Sequence, residues 1–182
     1  MSGHSKWATT KRQKAVTDAK RGAIFTKLGN LITISAREKG GDPDINFSLR
    51  MAIDKAKQAN MPKENIERAI KKGTGELEGG QIEELYYEGF GPAKSQFIVK
   101  CLTDNKNRSA ANVRHIFTKY GGTFGNVMWN FDRVIKKDSG EIKYIAKIKQ
   151  DLNNDEKEKF EKFIEELDEN EDVSEYYNNI NI

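Results

Sequence analysis

The chain has 182 residues, of which 36% are hydrophobic and 32% are charged, and its formal net charge is +3. A chain of this length and composition buries roughly 70% of its unfolded surface in one or two small domains, which excludes a wholly disordered protein. No stretch approaches the roughly 20 apolar residues of a membrane-spanning helix, and lysines and arginines interrupt the region where a secretory signal would be apolar. We therefore expect a cytoplasmic protein with no membrane partner.

The residues that usually carry metal or covalent chemistry are few. The single cysteine, Cys101, lies in an apolar run, so we expect a buried, inert thiol and no disulfide framework. The two histidines, His4 and His115, have no cysteine or second histidine at ligand spacing, so we predict no metal site. No nucleophile motif and no dinucleotide-binding glycine pattern is present. The sequence therefore predicts no catalytic residue, no cofactor and no enzymatic activity.

The charges are divided unevenly along the chain. Residues 1–72 contain 16 Lys and Arg against 7 Asp and Glu, whereas residues 73–182 contain 15 against 21. Clustered cations are what a phosphate-binding surface needs, and the acidic part would repel the same ligand and help to orient it. The alternative is that both sets of charges serve only to solvate the protein.

The first 27 residues are the strongest indication of function. They contain seven cations, one acid and Trp7, with too few apolar residues before Ile24 to bury a core of their own. We interpret the cations as phosphate ligands, although a solvated tail would have the same composition. Trp7 would either stack on an unpaired base or fill a gap between two domains. The predicted ligands in this segment are Lys6, Trp7, Lys11, Arg12, Lys14, Lys20, Arg21 and Lys27.

Three short helices are predicted between residues 18 and 72. Apolar residues at helical spacing begin after Asp18 and stop before the glycine pair at 40–41. Asn46 or Asp44 can cap the second helix, and the Met61-Pro62 step begins a third that ends at Gly73. The acidic, glycine-rich run at 73–80 coincides with the change in charge sign. We therefore predict a basic N-terminal arm and helical domain at residues 1–75.

The remainder, residues 81–182, changes to the period of strands. We predict strands at 85–90, 96–102 and 127–131, a period-two segment at 142–148, and an edge strand after Val173. One helix is predicted after a cap at Asn107, and a second around Phe160, with most of the acids from 151 to 175 on its solvent face. Two helices on one side of an antiparallel sheet make an α+β fold, similar to a ferredoxin-like sandwich.

A second candidate site lies where a strand passes into the first of these helices. The loop at 103–108 offers free backbone donors and a positive helix end beside Lys106 and Arg108, an arrangement suited to a phosphate or an RNA backbone. The simpler interpretation is that Asn107 caps the helix. Lys106 and Arg108 complete the predicted nucleic-acid-binding set.

Several local strings of the sequence are informative when they are taken together. They are residues 3–7 (GHSKW), 18–22 (DAKRG) with 24–25 (IF) and 27–28 (KL), 60–63 (NMPK), 66–75 (IERAIKKGTG), 87–92 (YEGFGP), 102–105 (LTDN), 107–108 (NR), 113–115 (VRH) and 121–122 (GG). Together these strings resemble the YebC/PmpR family of transcriptional regulators, to which a mitochondrial translational activator of a cytochrome oxidase subunit also belongs. The resemblance is dense from residue 3 to about residue 133, and the last ten residues resemble the C-terminal strand of the family.

The resemblance implies a basic helical first domain, a mixed α/β second domain, and usually a third domain inserted within the second. Only a short hairpin region near 134–148 stands where the insertion would be, so the third domain is expected to be missing or reduced. Family membership favours a DNA-binding transcriptional regulator. The competing interpretation is a ribosome-associated translation factor that binds ribosomal or transfer RNA and relieves stalled peptide synthesis, because charge and one aromatic residue do not distinguish duplex DNA from folded RNA.

Overall fold

The computed structural model describes the backbone of residues 4–137 and 141–181, with side chains in the first helix described from residue 17 onward. Three helices come first: α1 (His4–Lys39), α2 (Phe47–Gln58) and α3 (Lys63–Thr74). The elements that follow are β1 (Glu83–Phe90), β2 (Gln96–Thr103), α4 (Lys106–Lys119), β3 (Thr123–Phe124), β4 (Phe131–Ile135), β5 (Ile142–Ala146), α5 (Asn154–Glu169) and β6 (Val173–Asn178). This confirms the predicted α+β class, with a helical domain preceding a sheet-containing domain.

Helix α1 is longer than predicted, since it begins at His4 rather than near Asp18. Residues 4–21 contain no glycine or proline and are rich in alanine, lysine and arginine, which favour helix through backbone and rotamer preferences alone. The predicted start was based on apolar periodicity, and this pattern indicates only the part of a helix that packs against other elements of the protein. The predicted end is confirmed, because Lys39 is followed by Gly40, whose φ of 90° is left-handed.

A buried asparagine joins the end of α1 to the start of α2. The Asn46 side-chain oxygen accepts a hydrogen bond from the Leu49 amide at 3.1 Å, which confirms it as the cap of α2. Its Nδ2 donates to the carbonyls of Ser35 and Gly40, each at 2.8 Å. Asn46 is 0% exposed, so these bonds satisfy a polar group that would otherwise be costly to bury.

The core of the helical domain lies where the three helices meet. Helix α3 approaches α1 so closely that a Cβ at Gly73 would lie 2.4 Å from the Thr33 carbonyl oxygen. Only glycine permits this contact without a backbone shift. The buried apolar residues of this core are Ile32, Ala36, Leu49, Ala52, Ile53, Ala56, Met61, Ile66 and Ala69.

The second domain is built on a four-stranded sheet of order β3-β1-β2-β6 in which all neighbours are antiparallel. Helices α4 and α5 cover one face, with Phe97, Phe117 and Phe163 in contact at the centre of the core. Strand β6 lies at the sheet edge, as predicted. Cys101 is fully buried in this layer, and burial raises the pKa of its thiol to about 12, which agrees with the inert thiol expected.

The opposite face of the sheet is covered by the β4–β5 hairpin. Phe131 and Ala146, which face each other across the hairpin, are buried with Ile98 of the sheet. Tyr144 of the hairpin makes edge-on contacts with two sheet tyrosines, Tyr86 at 5.8 Å and Tyr177 at 5.4 Å between ring centroids. The second domain therefore has three layers, in the order helices, sheet and hairpin.

Two predictions for the second domain were wrong in detail. The cap of α4 is Asn105, not Asn107, because the Asn105 side chain accepts from the Arg108 amide at 3.0 Å. A strand was predicted at 127–131, but it begins only at Phe131. Residues Met128–Asn130 form a short 3-10 helix, and the Glu88 carboxylate accepts hydrogen bonds from the Val127 and Met128 amides, each at 2.8 Å. An alternating pattern cannot reveal such a turn, since a side chain from a distant strand stabilises it.

Candidate nucleic-acid interface

The middle of α1 packs against the second domain, and this contact uses two of the predicted phosphate ligands. The first is Lys20, whose Nζ lies 2.8 Å from a Glu169 carboxylate oxygen and 3.4 Å from one of Glu165. The hydrogen bond to Glu169 is the main reason that the pKa of Lys20 is raised. Both acids belong to α5, so Lys20 is directed toward the acidic helix.

The second is Lys27, which is half-buried beside the last turn of α5. Its Nζ donates a hydrogen bond to the backbone carbonyl of Asp168. Carbonyls at a helix C-terminus lack partners within the helix and carry its partial negative charge, so an ammonium group is stabilised there. Burial nevertheless lowers the pKa of Lys27 below its ordinary value. Lys27 therefore connects two helices across the domain boundary.

Further along α1, an apolar seam joins the two domains. Ile34 of α1 is buried together with Ile82, which directly precedes β1, and with Leu102 of β2. Asn30 donates from Nδ2 to the Leu102 carbonyl at 3.0 Å, and Arg37 donates to the Ile82 carbonyl at 2.6 Å. Sequence reasoning missed this second contact surface of α1. The sequence feature that indicates this surface is a second set of positions at helical spacing, 20, 24, 27, 31 and 34, beside the set that packs on α2 and α3.

The other predicted ligands in α1 differ from these two. Arg21 is exposed and makes no ion pair with any residue that the structure describes. The side chains of the five remaining ligands lie outside the described residues, although the helix backbone runs through all of their positions. They are Lys6, Trp7, Lys11, Arg12 and Lys14.

At the start of α4, the two predicted ligands have different surroundings. The Arg108 guanidinium donates to Asp172 at 2.9 and 3.4 Å and to Asp104 at 3.1 Å. The hydrogen bonds to Asp172 are the main cause that raises the pKa of Arg108. Asp172 is only 1% exposed, so Arg108 neutralises a buried carboxylate. Lys106 is exposed and forms no ion pair with the side chains of residues 17–137 and 141–181, which the structure describes.

The part of the chain that the structure describes has neither a metal-binding cluster nor a membrane-spanning helix. No group of three or more histidine, cysteine or acidic side chains is arranged to hold a metal ion there. No helix there combines the length and the apolar character that crossing a bilayer requires.

Family models match most of the chain. The N-terminal domain of the TACO1/YebC protein matches residues 5–76, and the second and third domain of the same protein matches residues 82–136 and 134–180. The chain belongs to the TACO1/YebC family. This confirms the family resemblance inferred from the sequence strings. The two segments of the second match meet at residues 134–136, at the end of β4.

Bacterial relatives match this chain over different fractions of their own length. A probable transcriptional regulatory protein of Thermoanaerobacter pseudethanolicus is 41% identical over 240 positions, which cover 100% of this chain and 98% of the relative. One from Persephonella marina is 61% identical over 126 residues, 69% of this chain but only half of the relative. The crystal structure of a conserved hypothetical protein, Aq1575 from Aquifex aeolicus, is 32% identical, with a TM-score of 0.77 over 91% of this chain and 92% of that chain.

Proposed function

We propose that this TACO1/YebC protein is a cytoplasmic, non-enzymatic regulator of gene expression that binds nucleic acid, with duplex DNA as its ligand in transcription. The relatives named above as probable transcriptional regulatory proteins support this assignment. The observation that carries it is the N-terminal part of α1, where a continuous helix bears seven cations and one acid within the first 27 residues. A segment of this composition attracts phosphates with little preference for base sequence.

Within this proposal the ten predicted ligands divide into two groups. Lys20, Lys27 and Arg108 hold α5 and the start of β6 in place, so their contribution to binding is to position α1 and α4. Direct contact with phosphates is assigned to the others, with Trp7 beside them. The direct set is Lys6, Lys11, Arg12, Lys14, Arg21 and Lys106.

We also propose that the chain consists of a helical unit at residues 1–75 and an α+β unit at 81–182 that lacks the inserted third domain. The alignment with the Thermoanaerobacter relative has 240 positions and includes all 182 residues of this chain, so the other positions are occupied only in the relative. The two family-model segments meet in the β4–β5 hairpin. Both findings support a deletion near 134–148.

The proposed phosphate contacts are tested by replacing Lys11, Arg12 and Lys14 together with alanine. Alanine preserves the helix, so the variant removes charge without removing the backbone that carries it. We expect weaker binding to duplex DNA of every sequence, and a plot of log affinity against log salt that is flatter by about 0.9 for each phosphate that the variant no longer binds. Fluorescence anisotropy titrations over a range of salt concentrations measure both quantities.

The matched control is the triple alanine variant of Lys39, Lys55 and Lys57, which removes the same charge from exposed positions of α1 and α2. An equal loss of affinity in the two variants would mean that net charge alone drives binding, and would contradict a site at the N-terminal end of α1. A parallel titration with a ribosomal RNA fragment separates the competing function. Tight binding to that RNA, with weak binding to duplex DNA, would replace the transcriptional assignment with a translational one.

A further inference from the structure

The β4–β5 hairpin has a solvent-facing side that the proposed function does not use. Its register pairs Asp132 with Ile145 and Val134 with Lys143, and side chains alternate between the two sides of a strand. Phe131 and Ala146 face the sheet, so these two pairs face solvent. Lys147 belongs to the same side, since its Nζ lies 3.5 Å from the Asp132 carboxylate. We call these five residues, with the neighbouring Trp129, the hairpin face.

The hairpin face is unusually apolar for a solvent-exposed surface. Trp129 is 58% exposed, Ile145 53% and Val134 40%. Two isoleucines outside the hairpin face are also exposed: Ile148 follows β5, and Ile135 lies on the same side of β4 as Phe131. These five account for half of the exposed large hydrophobic residues identified among the described positions, within a span of 20 residues. Trp129 lies at the end of the hairpin face, because its carbonyl accepts a hydrogen bond from Lys147 at 3.0 Å. Apolar residues exposed together in this way are typical of a binding surface.

The charge of this region indicates the kind of ligand. Residues 129–149 contain six cations and three acids, whereas residues 151–175 contain three cations and twelve acids. Lys143 makes no ion pair with any side chain that the structure describes. Among the described residues, the ion pair of Lys147 is the exposed one with Asp132, and its Nζ also donates to the Trp129 carbonyl. The hairpin region therefore has a net positive charge, although it lies within the acidic half of the chain. Protein interfaces usually exclude charges from their centre, but here Lys143 and Lys147 flank Ile145.

We propose that the hairpin face binds a single-stranded segment of nucleic acid. Lysine side chains meet successive phosphates, while the indole ring of Trp129 stacks on an unpaired base, with Ile145 and Val134 as the apolar floor. A base inside a duplex is already stacked on both sides, so the exposed indole selects unpaired bases. The inference rests on the proposed function and adds a second contact surface, on the side of the sheet opposite α5.

The test uses the full-length protein and labelled oligouridylate and oligothymidylate of about twelve nucleotides, a length within the range that single-strand-binding domains cover. Trp129→Ala should weaken binding about 5- to 150-fold, which corresponds to the loss of one stacked base. Trp129→Phe should retain most of the affinity, and Lys143→Ala should lower the salt dependence. Tighter binding of oligouridylate identifies RNA as the source of the single strand, and equal binding identifies any unpaired strand.

Phe47→Ala is the matched control, because Phe47 is a partly exposed aromatic residue of the helical domain. A second readout uses the Trp7→Phe variant, in which Trp129 is the remaining tryptophan, since the chain has two. Stacking should quench its fluorescence when oligonucleotide is added. Quenching should persist when Lys11, Arg12 and Lys14 are also replaced by alanine.

The outcomes separate this inference from the proposed function. The hairpin site is overturned, and α1 remains the interface, under two joint conditions. Oligonucleotides bind the Trp7→Phe variant without quenching Trp129, and they bind Trp129→Ala as tightly as the wild type. Absence of binding to every DNA and RNA probe overturns both. A blue shift of Trp129 emission on addition of anionic phosphatidylserine vesicles, with no change on addition of oligonucleotides, overturns the inference in favour of a membrane surface.

Discussion

Arg108 illustrates how a single residue of suitable chemistry acquires a structural role. A cation at the start of a helix, next to free backbone donors, suits a phosphate ligand. Here the guanidinium instead contacts Asp104, Thr103 and the buried Asp172, which lies just before β6. The carboxylate of Asp172 needs a partner because an isolated buried charge is very costly. Arg108 therefore connects the segment just before β6 to the loop after β2.

Arg108→Ala should lower the free energy of unfolding. Breaking a fully buried ion pair costs about 3–5 kcal/mol, but 41% of the Arg108 side chain is exposed, so water compensates part of the loss and we expect about 1–3 kcal/mol. Urea unfolding followed by circular dichroism measures it. Lys106→Ala, on the same turn but unpaired within the described residues, should change stability by less than about 0.5 kcal/mol. Equal effects of the two variants would contradict the structural role of Arg108.

At the scale of elements, α1 is organised as two stripes on one helix. One stripe packs on α2 and α3, and the other meets α5, β2 and the chain before β1. A helix that is contacted on two sides is held more rigidly than one that packs on a single surface. Because α1 is one continuous helix from His4 to Lys39, we infer that its packed part acts as a rigid support for the cationic end.

The buried position of Lys27 predicts a pH dependence. Because burial lowers its pKa in the folded state below 10.5, the unfolded chain binds more protons in the alkaline range just below that value. The folded state is then penalised while Lys27 is charged, and the penalty disappears as pH rises. The stability of the wild type relative to Lys27→Met should therefore increase as pH is raised toward 10.5, as measured by urea unfolding at several pH values.

Lys39→Met, at an exposed position of the same helix, is the matched control for this measurement. The comparison cancels the titration of all other groups. A relative stability that falls with increasing pH for Lys27→Met, or a slope equal to that of the control, would show that Lys27 is not buried against α5.

For the whole molecule, the seam between the helical and sheet domains decides whether they behave as one unit. Leu31, Ile34, Ile82 and Leu102 exclude water at this boundary, and the side chains of Asn30 and Arg37 bond backbone carbonyls on the other side. The acidic helix α5 lies against the basic α1, so the uneven charge of the chain also favours this arrangement. We therefore expect both domains to unfold together.

Ile34→Ala tests this cooperativity. Removing a side chain that is only 6% exposed should cost about 2–4 kcal/mol through reduced burial and the cavity that remains. In a Trp7→Phe background, Trp129 fluorescence reports the second domain and far-ultraviolet circular dichroism reports mainly the helices. The two transitions should coincide in the wild type and separate in Ile34→Ala.

Ile45→Ala is the control for this substitution, because Ile45 is 80% exposed and the change should alter stability by less than about 0.5 kcal/mol. Separate transitions in the wild type would mean that the seam does not couple the domains. The same result would remove the rigid support inferred for the basic end of α1.

Local signals in the sequence were sufficient for most elements of this protein. The glycine after Lys39 and the strands β2 and β6 depend on nearby residues, and each was predicted. Asn46 was one of two residues predicted as the cap of α2. The charge division and the family were also readable from residue order alone, because neither requires knowledge of contacts.

Only the tertiary structure determined which cations are already engaged and which apolar residues remain exposed. The partners of Lys27 and Arg108 lie 141 and 64 residues away in sequence, so no local pattern identifies them. The Met128 turn depends on Glu88, and the hairpin face exists because the sheet covers the other side of β4 and β5. Residue type sets what a side chain is able to bind, but the packing of distant elements decides whether it is available to do so.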